Sequence, residues 1–145
     1  MAEAKARAVA ARRPACWVLA ADTVVACGHR ILPKAETEAD ARRCLALLSG
    51  RRHRVIGGLA LVAPDGRLRS RAVESRVGFK RLEDRETAIY LASGEWHGKA
   101  GGYAIQGLAA AYVGFLEGSY SNVVGLPLAE TYALLTGAGF RHAGS

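Results

Sequence analysis

Residues 17–25 read WVLAADTVV. A nearly continuous apolar run of this length predicts a strand buried on both faces of a sheet. Its exception is Asp22. A carboxylate inside such a run has to find a cation, a hydrogen-bond donor or a metal, because an unpaired buried charge is expensive. A turn-forming or helix-capping role fits poorly, since the apolar run continues through Val24 and Val25.

Elements follow on both sides. The alanine- and arginine-rich start, MAEAKARAVAARRPACW, favours an ordinary helix leading into the strand; it lacks serine and carries Glu3, unlike a transit peptide. After the strand, Thr37 and Asp40 stand three apart like a capping box with Asp in place of Glu. Ala41, Cys44, Leu45 and Leu48 then form one apolar stripe of a helix that stops at Gly50. From Val55 to Phe79, VIGGLALVA, a Pro64-Asp65-Gly66 turn and an alternating stretch with Val73, Val77 and Phe79 on one side read as a hairpin. Leu82 to Leu91 reads as a short helix ending at Ser93-Gly94, AAYVGFLEG as a strand, and PLAETYALLTGAG as a last helix with Pro127 at its start. Strands and helices alternate without repeats or linkers. The expectation is a single domain over residues 1–145, of α/β or α+β class, with a mixed sheet flanked by helices.

Composition narrows the partners. With 145 residues, 50% of them hydrophobic, the chain has the length for one core that buries roughly two thirds of the unfolded surface. No apolar run approaches the roughly 20 residues that span a bilayer, so no membrane is expected. The net charge of +7 calls for an anionic partner. The arginines form no single stripe and no aromatics interleave with them, which favours a phosphorylated small molecule over nucleic acid. Cys16, Cys27 and Cys44 are an odd, poorly spaced set for disulfides or zinc. They read as small buried thiols, with His29 on the surface, in a reducing cytoplasm.

Chemistry concentrates at Asp22, at Lys34 in the loop after its strand, and at Lys99 and Gln106 around the glycine-rich GKAGGYAIQG, residues 98–107. Together they supply a carboxylate for a metal or water, ammonium groups for phosphate charge, and an amide for the edge of a base. The glycines let backbone N–H groups approach a ligand.

ADTVV, LSGRRHRV, SGEWHGKAGGYAIQG and EGSYSNVVGLPLAET, in that order and spacing, resemble the Maf family of nucleoside triphosphate pyrophosphatases, once named septum formation inhibitors. The resemblance covers nearly the whole chain from the KARAVA helix onward. It implies a mixed α/β fold with a cleft, related to the pyrophosphatases that remove non-canonical nucleotides. It further implies hydrolysis of a nucleoside triphosphate to monophosphate and pyrophosphate with a divalent metal, magnesium or manganese, and often a homodimer. Asp22 then corresponds to the proton acceptor and a metal ligand, Thr23 and Gln106 to positions linked to substrate choice, Lys34 to the lysine after the ADTVV strand, and Lys99 to that of the KAG motif. The YAIQG form resembles the branch acting on dTTP and UTP. A glutamine amide offers the donor and acceptor that match O4 and N3–H of thymine or uracil.

The sequence also departs from the family. Pro33-Lys34-Ala35 stands for Gly-Lys-Pro, Gly98 for the Asp before Lys-Ala-Gly, and Gly57-Gly58 for Thr-Gly. Family members open with a strand and a turn ending in Ser-Pro-Arg-Arg that binds the triphosphate, whereas this sequence starts at MAEAKARAVA, and Arg12-Arg13 follow a helix rather than a strand. The expectation is therefore a domain lacking that first strand and phosphate-binding loop, with a non-catalytic remnant that binds nucleotides or a partner chain as the alternative.

Overall fold

The computed structural model describes residues 1–141, so the last four residues of the expected domain lie outside the described ones. Helix α1 (Ala2–Arg12) leads into strand β1 (Val18–Cys27), which contains Asp22. A short β2 (Arg30–Leu32), helix α2 (Glu38–Leu48), strands β3 (Arg52–Val62) and β4 (Leu68–Phe79), helix α3 (Asp84–Ser93), strand β5 (Val113–Glu117) and helices α4 (Tyr120–Val124) and α5 (Leu128–Gly137) follow. The sheet runs β2-β1-β3-β4-β5, and every pairing in it is antiparallel. Helices flank it, giving the helix-flanked α/β architecture expected, although the sheet is antiparallel throughout rather than mixed, because its neighbouring strands pair antiparallel in every register.

Local chemistry accounts for the main boundaries. Thr37 Oγ1 accepts from the Asp40 N–H at 3.1 Å while the Asp40 carboxylate accepts from the Thr37 N–H at 3.2 Å, the reciprocal box anticipated at the start of α2. These backbone donors, the Glu36 N–H first among them, hold the Asp40 carboxyl below its ordinary pKa. The Pro64-Asp65-Gly66 turn closes the β3–β4 hairpin through a 2.9 Å bond from the Gly66 N–H to the Ala63 carbonyl. The stretch read as one strand from Ala110 divides instead: Leu108–Tyr112 is a 3-10 turn, and only Val113 onward joins the sheet. Neither β2 nor α4 was visible beforehand, being three and five residues long.

One face of the sheet carries the larger core. There Val55 and Val77 pack with Cys44, Leu45 and Leu48 of α2 and with Tyr90 and Leu91 of α3. On the opposite face α1 sits close, because its contact residues are Ala2 and Ala6 against Val18, Ala60 and Val62. β1 is less enclosed than its sequence suggested. Only Val18 and Val25 to Cys27 are buried, Leu19 is 39% exposed, and residues 20–24 are half-buried. The middle of this strand borders a cleft rather than a second layer of core. The cysteine reading needs one correction as well: Cys27 and Cys44 are buried and His29 is exposed, but Cys16 is exposed too, since it lies in the turn after Pro14 between α1 and β1.

Asn122 of α4 locks the central strands. Its fully buried amide donates to the Val55 carbonyl at 3.1 Å, the Val73 carbonyl at 3.0 Å and Ser75 Oγ at 3.2 Å, bridging β3 and β4. Gly57 makes this possible: a Cβ there would lie 2.0 Å from Asn122 Oδ1. At the neighbouring Gly58 the nearest atom to such a Cβ is 3.7 Å away. Gly57→Ala is therefore expected to cost about 3 kcal/mol by overpacking, and Gly58→Ala less than about 1 kcal/mol. Chemical denaturation of the two variants checks the contrast.

Candidate functional site

The cleft opens where β1 meets two loops. Asp22 and Thr23 come from the middle of β1, paired with Gly58 and Gly57 of β3. Lys34 comes from the loop after β2, and Lys99 and Gln106 from the glycine-rich segment. All five residues singled out in the sequence line this one cavity of about 210 Å³. Val25, Val55, Ile105, Val123 and Val124 give it apolar walls.

Backbone pairing aligns the two loops. Lys34 and Ala100 form an isolated antiparallel bridge. The Ala35 N–H donates to the Lys99 carbonyl at 3.0 Å, the Gly98 N–H to the Ala35 carbonyl at 2.8 Å, and the Gly101 N–H to the Pro33 carbonyl at 3.3 Å. Lys34 and Lys99 are thus carried on adjacent backbones. Gly101 explains why this turn is built of glycine. Its φ is +74°, and a Cβ there would lie 2.9 Å from Val25 Cγ1, so a side chain would be strained and would collide with β1. The segment ends on Glu95, whose Oε1 accepts from the Leu108 N–H at 2.7 Å.

Asp22 has found the cation its position demanded. Lys5 Nζ of α1 lies 3.1 Å from Asp22 Oδ1 and 3.4 Å from the Ala21 carbonyl. Sequence reasoning missed Lys5, taking its helix as a plain lead-in. The available signal was a half-buried carboxylate in need of a partner and a lysine beside Ala6, which is fully buried against the sheet. With Lys5, Lys34 and Lys99 against one carboxylate, the cleft is cationic. The three lysines are exposed, and their ammonium groups are point charges suited to phosphate oxygens.

Beneath the cavity wall lies a second overlooked group. His53 of β3 is 2% exposed, and its Nε2 lies 2.5 Å from the hydroxyl of Tyr103, which lines the cleft. Burial pushes the imidazole pKa down from 6.5 to about 4 and raises that of the Tyr103 phenol.

The family described as Maf-like protein matches residues 1–138, and the chain belongs to the Maf family. It is 69% identical over 140 residues to a protein of Paramagnetospirillum magneticum named dTTP/UTP pyrophosphatase, an alignment covering 97% of this chain and 74% of that protein. Proteins of the same name from Rhodospirillum rubrum and Caulobacter vibrioides are 67% and 65% identical, over 97% and 94% of this chain and 67% and 71% of their own lengths. Among the described residues no helix is long and apolar enough to cross a membrane.

His53 gives the fold an acid sensitivity. With a folded pKa of about 4 against the ordinary 6.5, the unfolded chain takes up the proton first as pH falls, so stability is lost between pH 6.5 and pH 4. The expected loss from this group is roughly 3 kcal/mol. Urea unfolding across that window should show it in the wild-type chain, and should show it flattened in His53→Gln.

Proposed function

We propose that this chain hydrolyses dTTP and UTP to the monophosphate and pyrophosphate. The observation that carries this reading is one cleft that, among the described residues, holds a single carboxylate, Asp22, with three lysines, and has Gln106 exposed in its wall. The names borne by the relatives point to the same substrates.

In this reading Lys34 and Lys99 draw in the triphosphate and offset its charge. Asp22 acts as general base. One of its oxygens is held by Lys5, and the other takes a proton from water as the water oxygen bonds to phosphorus. The anhydride between the α and β phosphates breaks, and pyrophosphate leaves. Gln106 pairs with O4 and N3–H of the base, and Thr23 stands beside Asp22 to assist the choice of substrate.

A divalent cation, magnesium or manganese, belongs to the proposal. Among the described residues no group of three or more His, Cys, Asp or Glu side chains is placed to hold one. Asp22 would be its protein ligand, with phosphate oxygens and water completing the shell, an arrangement magnesium accepts. When bound it would neutralise phosphate charge.

The test is pyrophosphate release from dTTP, UTP, CTP, ATP and GTP with magnesium or manganese. Turnover of dTTP and UTP should exceed the rest and fall by about a hundredfold or more in Asp22→Asn. Faster purine turnover would remove the base assignment, and no turnover by a folded chain would leave nucleotide binding without catalysis. Gln106→Glu, which loses the amide donor, should lower kcat/KM for dTTP by about tenfold with little change in melting temperature.

A further inference from the structure

His53 is an expensive choice for its position. Its ring packs edge-on against Phe79, with centroids 5.4 Å apart, and against Tyr103 at 5.3 Å, while Phe79 and Tyr103 themselves meet at 4.8 Å. Nδ1 is buried without a hydrogen-bond partner among the described residues. A carbon-only side chain would fill this aromatic cluster without leaving a polar atom unsatisfied. What the imidazole adds is its bond to the Tyr103 hydroxyl.

That bond joins the two halves of the cleft. His53 lies on β3, the strand whose Gly57 and Gly58 pair with Thr23 and Asp22. Tyr103 lies on the segment that carries Lys99 and Gln106. The other side-chain anchors of this segment come from α3 and the turn after it and not from the sheet: the Tyr90 hydroxyl accepts from the Ala104 N–H at 3.0 Å, and Glu95 accepts from the Leu108 N–H. Ile105 is buried, at 4% exposure, and its neighbour Gln106 is exposed.

We propose that His53 is a positioning residue: through Tyr103 it fixes the segment bearing Lys99 and Gln106 in register with the strand bearing Asp22 and Thr23. Burial keeps the phenol protonated and the imidazole neutral, so the hydroxyl donates and Nε2 accepts. The kinetic consequence rests on the pyrophosphatase reading; the structural one does not.

The test compares His53→Leu, Tyr103→Phe and the double variant with the wild type. Tyr103→Phe removes one hydroxyl and leaves the packing in place, so it serves if His53→Leu fails to fold. Amide hydrogen exchange of residues 101–106 in the ligand-free chain should quicken by about tenfold in each single variant and no further in the double, with α2 unchanged. The dTTP KM should rise by a similar factor while kcat changes less. Exchange that stays the same, or quickens only in step with α2, overturns the proposal, and so does a loosened segment with unchanged KM. If the wild-type chain turns over no triphosphate, the catalytic reading fails, and the exchange comparison still decides whether His53 positions the segment.

Discussion

The pairing of Asp22 and Thr23 with Gly58 and Gly57 across β1 and β3 is the constraint on which the rest of the molecule depends. A carboxylate in the middle of a strand leaves little room for covering layers. Here the partner strand carries no side chains at that level, and the two faces are closed by different devices. On one, α1 approaches through alanines and lays Lys5 against Asp22. On the other, Asn122 enters the space left at Gly57 and ties β3 to β4. The Gly57-Gly58 pair thus makes room for both devices in this chain.

From that centre the cleft is assembled by backbone more than by side chains. The bridge between Lys34 and Ala100 and the three hydrogen bonds around it carry two exposed lysines on neighbouring loops. Like charges brought together on a surface repel, and here the cost is small because their ammonium groups stay in water. The charge arrangement suits a ligand that arrives with its own negative charge, and the apolar valines beside it suit the remainder of a nucleotide.

Much of this was legible in the chain itself. The α2 capping box, the β3–β4 turn and the apolar stripe of α2 are written in local residue order, where hydrogen bonds span three residues and side chains repeat with the helical period. Asp22 announced itself as an unsatisfied charge in an apolar run. Lys5, His53 and Tyr103 did not, because what distinguishes them is a partner 17 or 50 residues away. A lysine in an alanine-rich helix and a histidine in a basic strand look like surface residues until the sheet brings their partners near.

Sequence by itself determined the succession of the longer elements, the candidate residues and the family they resemble, since each rests on local pattern and on motif order; the short β2 and α4 lay below what local pattern resolves. Tertiary structure alone decided that β1 is open along its middle, that Cys16 faces solvent, that Asp22 pairs with Lys5, and that Asn122 pins the hairpin. It also placed Asp22, Thr23, Lys34, Lys99 and Gln106 around one cavity. The physical reason is common to all of these: burial and long-range hydrogen bonding are settled when distant segments meet, and no local periodicity encodes which segments those are.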